Sequence, residues 1–407
     1  MAAKKRLIMI SQRFPYGAGE VYLERELKYF SESFDSILLY PLQKAEGVRT
    51  VPANVKVHDL LSNRTHKVNK IVALKKWKSA NRIIKEELEY AGQGSEYLSD
   101  HKKDFLAQLF MNYELADLFY DSFSKNAETF ETSFYSVWLD EGAVMMAMLK
   151  RTGKISSFVI RLHGYDLYDD RREGRYMPFR YFCFKEASRV FVVSEKGAEY
   201  TRSLGVFPEK IQSNYSGLDD NGVNHSKKDD VFTIVSCSNL IPLKRVHLLA
   251  QIIGKLTDEV KWIHFGDGEE REFIESIINK FPDNITAQLS GRTEFNELMS
   301  FYSSKPIHLF IHLSESEGLP MAVVEAMSFG IPVIATDVGG VSEIVTEKEG
   351  FLINLDVEVD DVCEKIKMLM DDEKRRLGLA QGARKKYLIR FSAEKNYAQF
   401  VNDVKSY

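Results

Sequence analysis

Short apolar runs alternate with longer segments of helical periodicity along this chain, and this alternation predicts an α/β fold with parallel sheets. In the first half, the runs predict strands at Arg6–Ser11, Ser36–Tyr40, Val55–Asp59, Ser133–Leu139, Phe158–Leu162 and Val190–Ser194. In the second half, they predict strands at Phe232–Cys237, Val260–Phe265, Thr286–Leu289, Ile307–Leu313 and Val333–Thr336. We therefore expect two sets of strands, each interleaved with helices.

A polar segment separates the two sets of strands. Gly217–Asp230 (GLDDNGVNHSKKDD) holds two glycines and has no apolar periodicity, as is typical of a linker. The length of 407 residues also favours two domains over one. We predict an N-terminal domain over residues 1–217, a linker over 218–230 and a C-terminal domain over 231–386.

The end of the chain has helical periodicity that is interrupted at Phe391–Ser392. Beyond the interruption, the spacing of Tyr397, Phe400 and Val404 places these side chains on one face of a helix. Residues 387–407 are therefore predicted as a terminal helical segment that buries an apolar face.

Composition narrows the class of protein. Hydrophobic residues make up 44% and charged residues 28%, which is typical of a folded globular chain. The net charge of −4 gives no general attraction to nucleic acid, so no nucleic-acid partner is expected. The three cysteines show neither zinc-ligand nor disulfide spacing, and no run of about 18 apolar residues occurs. The sequence therefore predicts a cytoplasmic location without a membrane-spanning helix.

The segment Ser314–Gly340 (SESEGLPMAVVEAMSFGIPVIATDVGG) places Glu317 and Glu325 beside a short predicted helix. Pro320 suits the first helical position, and Gly330 suits the left-handed position after the last turn. The predicted strands on either side make this a strand–loop–helix–strand unit. Open parallel sheets bind ligands in the loops at the carboxyl ends of their strands, so we expect a ligand here.

The chemistry of this unit indicates what the ligand carries. The amino-terminal end of a helix favours a phosphate because its N–H groups and dipole point at the ligand. A carboxylate only accepts hydrogen bonds, so Glu317 and Glu325 each suit hydroxyl groups. Eight helical residues separate two such groups by at most about 12 Å, close to the reach from a sugar across a diphosphate to a ribose.

With these segments assembled, the chain resembles the family 4 retaining glycosyltransferases of the GT-B architecture over essentially its whole length. Glu317 to Glu325, within EGLPMAVVEA, is similar to the Glu-x₇-Glu motif of that family. The resemblance implies two Rossmann-like parallel-sheet domains that face each other across a cleft, with the C-terminal helix crossing back to the N-terminal domain. It also implies that Glu317 binds the donor sugar as a catalytic residue, that Glu325 binds the nucleotide ribose, and that the amides of Gly318 and Leu319 cap the sugar or phosphate.

A second element of the resemblance is Ser238–Val246 (SNLIPLKRV), which follows a predicted strand. The family lysine, matched here by Lys244, neutralises the donor diphosphate, so a catalytic role is implied while charge develops on the leaving group. Asn239 stands where the family usually has Arg, and Arg245 stands where it has Gly. Either Arg245 supplies the missing charge or Asn239 donates a hydrogen bond, and both are candidate donor-binding residues.

The loop after the first predicted strand, Phe14–Glu20 (FPYGAGE), contains two glycines that allow a backbone to approach a phosphate closely. It is similar to the family loop that lies over the donor phosphates and near the acceptor, so Gly17 and Gly19 are candidate donor-binding residues. An ordinary turn is the alternative. Glu20 and Glu24 equally suit charges on a helix surface.

Further along, RLHGYD ends a predicted strand and is similar to the family's His-Gly-x-Asp segment. The resemblance implies that His163 faces the reacting sugar or the acceptor as a catalytic residue, and that Asp166 orients nearby groups or the acceptor. Gly266 follows a strand as in a family Gly-x-Gly turn. Gly291 and Arg292 lie where the family usually holds the nucleobase, although plain structural turns remain an alternative for these residues.

The implied reaction moves a sugar from a UDP- or GDP-sugar to a glycan or polyprenyl-linked glycan, with retention, in bacterial surface polysaccharide synthesis. The sequence holds no Asp-x-Asp, so no metal and no cofactor are expected, and the nucleotide-sugar is a substrate. Two alternatives stay open: a GT-B sugar synthase acting on a soluble sugar or sugar phosphate, and a non-catalytic GT-B binding protein, which Asn239 favours.

Arg64–Lys85 (RTHKVNKIVALKKWKSANRIIK) carries eight Lys or Arg residues and no acid, with apolar residues interleaved. This pattern predicts a basic amphipathic helix that rests on an anionic membrane surface, which would place the protein at the inner face of the cell membrane. The alternative is a surface helix with an ordinary solvated face.

Overall fold

The computed structural model describes residues 3–17, 19–63, 68–125, 129–225 and 231–407. These residues form two compact units. The N-terminal unit contains the residues up to Ser216 together with Asn396–Tyr407, and the C-terminal unit contains Gly217–Lys395.

The N-terminal unit is built on a parallel sheet. Its strands are β1 (Lys4–Ser11), β2 (Ser36–Pro41), β3 (Val55–Val57), β4 (Phe130–Ser136), β5 (Val159–Leu162), β6 (Arg189–Val192) and β7 (Ile211–Ser213). In the described residues the seven strands lie in the order β3-β2-β1-β4-β5-β6-β7. Its helices are α1 (Tyr22–Ser31), α2 (Lys70–Tyr90), α3 (Ser95–Asp100), α4 (Lys102–Ser124), α5 (Glu141–Arg151), α6 (Arg180–Glu186) and α7 (Glu195–Ser203).

The C-terminal unit repeats this plan. Its strands are β8 (Phe232–Cys237), β9 (Val260–Phe265), β10 (Ile285–Leu289), β11 (Leu309–His312), β12 (Val333–Thr336) and β13 (Gly350–Ile353). Within the described part of the chain they form a parallel sheet of six strands in the order β10-β9-β8-β11-β12-β13. The helices are α8 (Val246–Ile253), α9 (Arg271–Ile278), α10 (Phe295–Ser304), α11 (Met321–Ser328), α12 (Val341–Ile344), α13 (Val359–Asp371), α14 (Glu373–Arg390) and α15 (Ala393–Lys405).

The predicted α/β class with two Rossmann-like parallel sheets is confirmed. β8, β9 and β12 begin and end where the apolar runs predicted, because strands that are buried on both faces are apolar along their length. β7 (IQS) and β13 (GFLI) were not predicted, since three or four residues are too few to show a pattern. β4 ends at Ser136, three residues earlier than predicted, so Val137–Leu139 belongs to the loop that follows it.

The predicted break near the end of the chain is confirmed, because α14 ends at Arg390 and α15 begins at Ala393. Tyr397, Phe400 and Val404 are buried as their spacing predicted. The Phe400 ring lies 5.1–5.7 Å from three aromatic rings of the N-terminal unit, those of Phe30, Tyr135 and Phe191. The last residues of the chain therefore complete the core on the α1 face of the first sheet.

Candidate functional site

In the C-terminal unit, the loops that follow β8 and β11 meet because these strands are neighbours in the sheet. The Glu315 N–H donates to the Leu243 carbonyl at 2.9 Å, which ties the two loops together. Lys244 ends a short 3₁₀ turn after β8, and its Nζ lies 2.5 Å from Oε1 of Glu317. The two charged residues that the resemblance assigned to catalysis are therefore in direct contact.

A histidine side chain also contacts the carboxylate of Glu317. Nε2 of His312, at the end of β11, lies 2.7 Å from the same Oε1, and both side chains are buried. Burial alone would raise the pKa of Glu317, but the hydrogen bonds and charges of His312 and Lys244 outweigh it and lower the pKa to about 2. Glu317 is therefore a carboxylate at any physiological pH.

The short helix α11 begins beside this cluster. It starts at Met321, so Pro320 precedes the helix instead of occupying its first position as predicted. Among the described residues no side chain caps its first turn, which leaves backbone N–H groups and the positive end of the helix dipole available. Gly330 has φ of 73° after the last turn, as predicted. Glu325 is buried within the helix.

Two glycines of the loop after β12 fix the backbone of Glu317. A Cβ on Gly339 would lie 1.8 Å from the Glu317 carbonyl oxygen, so only glycine permits this approach. The N–H of Gly340 donates to the carbonyl of Gly318 at 2.9 Å. These contacts fix the backbone at Glu317 and Gly318. The amides of Gly318 and Leu319, which are predicted to cap the donor, therefore lie in a segment whose position is set by packing.

The turns after β9 and β10, which were predicted to line the donor pocket, contact each other. Gly266 and Gly291 form an isolated bridge with an N···O distance of 2.8 Å. A Cβ on Gly266 would lie 1.8 Å from the carbonyl oxygen of Ser238, so this turn also packs against the loop that leads to Lys244. Arg292, next to Gly291, is exposed.

The two departures from the family pattern occupy different environments. Arg245 has φ of 48°, and its guanidinium donates to the carbonyls of Leu313 at 2.7 Å and Leu355 at 2.9 Å. It therefore ties the start of α8 to the end of β11. Asn239 is exposed. The prediction that these residues contact a donor stays a prediction.

The N-terminal unit contains a cavity of about 570 Å³, formed mainly by the loops after β1, β4 and β5. Its lining includes Gly19 and Asp166, two of the predicted site residues. Gly17 lies elsewhere: its N–H donates to the Gly47 carbonyl at 3.1 Å, and its φ of 71° suits a turn. Gly17 therefore has a structural role in this unit, whereas Gly19 borders the open space.

Glu20 organises the first of these loops and is not a helix-surface charge. Its carboxylate accepts hydrogen bonds from the backbone N–H groups of Gln12, Arg13 and Phe14 at 2.7–3.1 Å. It also accepts from Nε1 of Trp138 at 2.7 Å, which fixes the plane of the indole. One carboxylate thus positions the loops after β1 and β4 together.

His163 lies beside this cavity in a largely apolar environment. Its ring centroid is 4.7 Å from that of Tyr22 and 4.5 Å from that of Trp138. Both ring nitrogens are buried and have no partner within the described part of the chain. Burial, followed by the nearby charge of Arg161, holds the pKa of His163 well below its ordinary value, so the imidazole is neutral at pH 7.

Asp166 fixes the loop that carries His163. Its carboxylate accepts hydrogen bonds from the backbone N–H of His163 at 2.8 Å and from the backbone N–H of Leu139 at 3.0 Å. This is the geometry of an orienting residue, because it sets the end of β5 against the loop after β4. Burial is the main cause that raises the pKa of Asp166.

Three side chains at these sites were not singled out from the sequence: His312, Trp138 and Asp140. His312 is a polar residue in an apolar strand, and that contrast was the available signal. Trp138 was assigned to a strand that in fact ends at Ser136. Asp140 caps α5, with its Oδ1 accepting from the Gly142 N–H at 2.8 Å.

Residues 64–67 of the predicted basic helix lie outside the described residues. The rest of the segment falls in or just before α2, whose amino-terminal half exposes Ile71, Leu74 and Trp77 to 65, 82 and 53%. Lysines 70, 75 and 78 are exposed around them. We call these six residues the α2 surface. Among the described residues, no helix has the length and apolar character needed to cross a membrane.

The C-terminal part of the chain is similar to a known family. Residues 219–386 match the family model described as glycosyl transferases group 1. The putative teichuronic acid biosynthesis glycosyltransferase TuaC of Bacillus subtilis is 29% identical over 208 residues, 48% of this chain and 51% of that protein. The N-acetyl-alpha-D-glucosaminyl L-malate synthase of Bacillus anthracis is 26% identical over 267 residues, 61% of this chain and 67% of that protein.

Two other curated relatives are 35% identical over 145 and 156 residues, which are only 27% and 42% of their own lengths. Among solved structures, that of Anabaena Alr3699/HepE in complex with UDP superposes with a TM-score of 0.71 and 18% identity. The superposition covers 99% of this chain and 100% of that one, and it confirms the predicted GT-B fold.

Proposed function

We propose that this protein transfers a sugar from a UDP- or GDP-sugar to an acceptor hydroxyl, with retention at the anomeric carbon, because residues 219–386 match the family model of the group 1 glycosyltransferases. The observation that carries the proposal is the contact of Lys244 with Glu317 beside the uncapped first turn of α11. This arrangement brings a cation, free backbone N–H groups and an ionised carboxylate together in space.

Each part has a separate task in the proposed reaction. Lys244 and the first turn of α11 offset the negative charge that grows on the departing diphosphate. Glu317 accepts hydrogen bonds from the sugar hydroxyls, and Glu325 accepts them from the ribose. Since Lys244 is paired with Glu317, an arriving diphosphate competes for Lys244 and weakens its hold on Oε1, which then turns toward the sugar.

The N-terminal unit supplies the acceptor side. The acceptor occupies the cavity that Gly19 and Asp166 border. His163 packs against Trp138 of the lining, and its neutral imidazole supports the acceptor side without removing a proton. The leaving phosphate takes the acceptor proton in this scheme. No metal takes part, because Lys244 and the helix end supply the positive charge, and we expect a chelator to leave the transfer rate unchanged.

The names of two relatives support two candidate classes of acceptor. The name of TuaC supports a surface polysaccharide or lipid-linked glycan as acceptor. The name of the L-malate synthase favours a second candidate, a small soluble acceptor. Activity toward soluble acceptors in the absence of membranes and detergent would favour the second candidate, whereas activity that requires added lipid extract would favour the first.

We also propose that the α2 surface rests on an anionic membrane. Its exposed apolar side chains enter the headgroup region, and its lysines meet anionic lipid, each at about 1 kcal/mol. Sedimentation with phosphatidylglycerol and with phosphatidylcholine vesicles tests this. We expect salt-sensitive binding to the former that Leu74→Ser weakens and Leu118→Ser, at an exposed leucine of α4 outside this surface, leaves unchanged. An intact protein that ignores anionic vesicles at low salt would refute the membrane proposal.

The donor proposal is tested by thermal shift with UDP, GDP, ADP and their common sugar derivatives. A ligand that binds only the folded protein at about 100 times its dissociation constant adds about 2.7 kcal/mol of stability, which is a readily measured shift. We expect stabilisation by one nucleotide class. Equal indifference to all nucleotides and nucleotide-sugars would overturn the proposed function.

A further inference from the structure

The cavity of the N-terminal unit differs in charge from the Lys244–Glu317 cluster. Its lining contains the carboxyl groups of Glu20, Asp140, Glu141 and Asp166 but only two guanidinium groups, those of Arg13 and Arg172. Three glutamines, at 12, 43 and 108, add neutral hydrogen-bonding groups. Even with Asp140 neutral, the remaining carboxyl groups match or outnumber the two guanidinium groups, so the lining offers no net positive charge to attract a phosphate or carboxylate on the occupant.

The carboxylates of Glu20 and Asp166 in this lining already accept hydrogen bonds from the protein. Within the described residues, Glu20 accepts four hydrogen bonds and Asp166 accepts two, all from N–H groups of the protein. Asp140 differs, because only its Oδ1 has a partner, the N–H of Gly142, within the described residues. Its Oδ2 is therefore a carboxyl oxygen that can meet a ligand.

The environment of Asp140 favours contact with hydroxyl groups. Burial, and then the nearby carboxylates, raise the pKa of Asp140 well above its ordinary value. A neutral carboxyl group both donates and accepts hydrogen bonds, as a sugar hydroxyl does. Beside it, the indole of Trp138 has its plane fixed by Glu20, and a fixed aromatic face packs against the apolar side of a sugar ring.

We propose that this cavity binds an uncharged sugar ring, the end of the acceptor that receives the transferred residue, and that Asp140 recognises its hydroxyl groups. Identifying this sugar as the acceptor rests on the proposed function, whereas the binding of a sugar ring in the cavity does not depend on it. The volume of about 570 Å³ lies within the range of about 300–1,000 Å³ common for small-molecule sites. The lining has no net positive charge to compensate a phosphorylated or acidic end group, so an uncharged ring is the favoured occupant.

The test follows the fluorescence of Trp138. The chain has three tryptophans, and Trp262 is fully buried, so a Trp77→Phe background leaves Trp138 as the responsive fluorophore. The probes are the methyl glycosides of glucose, galactose and N-acetylglucosamine. The matched anionic probes are methyl glucuronide and methyl galacturonide. We expect a saturable change with at least one neutral glycoside, and binding of the matched uronide weaker by about tenfold or more.

Two substitutions separate recognition from folding, because Asp140 also caps α5. Asp140→Ser keeps an N-cap oxygen but removes the second oxygen, so we expect a folded protein that binds the glycoside at least about tenfold more weakly. Asp140→Asn retains a neutral amide that donates and accepts, and we expect binding within a few-fold of the Trp77→Phe background.

Three results would overturn the proposal: no saturable response to any neutral glycoside, uronides that bind as tightly as the glycosides, or unchanged binding in Asp140→Ser. A thermal shift with UDP on the same sample distinguishes this failure from that of the proposed function. If UDP stabilises the protein and no glycoside binds, the donor proposal stands without the cavity proposal. If glycosides bind and no nucleotide does, the cavity proposal survives as sugar binding alone.

Discussion

The two units use acidic side chains in opposite ways. In the C-terminal unit, Glu317 is kept ionised by Lys244 and His312, and it lies beside a helix end that favours phosphate. In the N-terminal unit, Glu20 and Asp166 are bonded to backbone N–H groups, and His163 is neutral. The first arrangement suits a charged ligand and the second a polar, uncharged one. Two sheets of the same class thus carry sites with different electrostatics.

Removing the positive charge of Lys244 from the site in the C-terminal unit has the largest expected effect on activity. Lys244→Ala leaves the developing charge on a departing diphosphate without its side-chain cation, and such losses reduce kcat by about 10²–10³-fold. Release of nucleotide from the donor, measured with acceptor present, reports the change. Lys255→Ala, at an exposed lysine of the same unit, is the matched control and keeps the wild-type rate. If a folded Lys244→Ala protein kept full activity, Lys244 would have no role in departure of the leaving group.

His312 sharpens the comparison because it acts through Glu317. His312→Leu removes one donor to the carboxylate, and a hydrogen bond to a charged group is worth about 1.5–3 kcal/mol, so we expect an activity loss of about 10–100-fold. His312→Gln places an amide N–H near the position of Nε2 and recovers most of the activity. Steady-state kinetics for the donor measure both variants. Equal losses in Leu and Gln variants, with unchanged melting temperatures, would show that His312 does not position Glu317.

In the N-terminal unit, we expect substitution of Glu20 to lower the free energy of unfolding. Glu20→Gln keeps the shape but replaces one acceptor oxygen with an NH₂ group that opposes backbone donors, which costs about 1–3 kcal/mol. Chemical denaturation measures the loss. Glu24→Gln, at the half-exposed partner of Arg49, is the control and changes stability by less than about 1 kcal/mol. Equal effects of the two substitutions would mean that Glu20 does not organise the loops.

The smallest expected effect is the pH dependence of Glu317. Its folded-state pKa of about 2 lies below its ordinary value of 4.5, so its stabilising contribution is complete above about pH 4.5 and is lost as the pH falls toward 2. The stability advantage of wild type over Glu317→Gln should therefore shrink by up to about 1 kcal/mol between about pH 6 and about pH 4. Melting curves measure it, and an advantage that grows on acidification would contradict the ionised state.

The sequence was most informative where local patterns decide structure. The Glu317–Glu325 segment combines a buried strand, a helix bounded by Pro320 and Gly330, and a second strand, and all of these follow from neighbours in the chain. Lys244 and Glu317 lie 73 residues apart, and only the family resemblance connected them before the structure showed their contact.

The N-terminal site was harder to predict because it depends on contacts that are distant in sequence. The hydrogen bond of Glu20 with Trp138 spans 118 residues, and no spacing in the sequence signals it. Trp138 and Asp140 follow β4, whose predicted end was three residues too late, so they were not recognised as loop residues. The neutral state of His163 depends on packing between Tyr22 and Trp138, which single-sequence patterns do not reveal.

The most direct measurement is a crystal structure of this protein with UDP. We expect diphosphate oxygens within hydrogen-bonding distance of Lys244 Nζ and of the backbone N–H groups at the start of α11, with the ribose against Glu325. UDP bound away from α11, or an unbroken contact between Lys244 and Glu317 with the diphosphate elsewhere, would contradict this expectation.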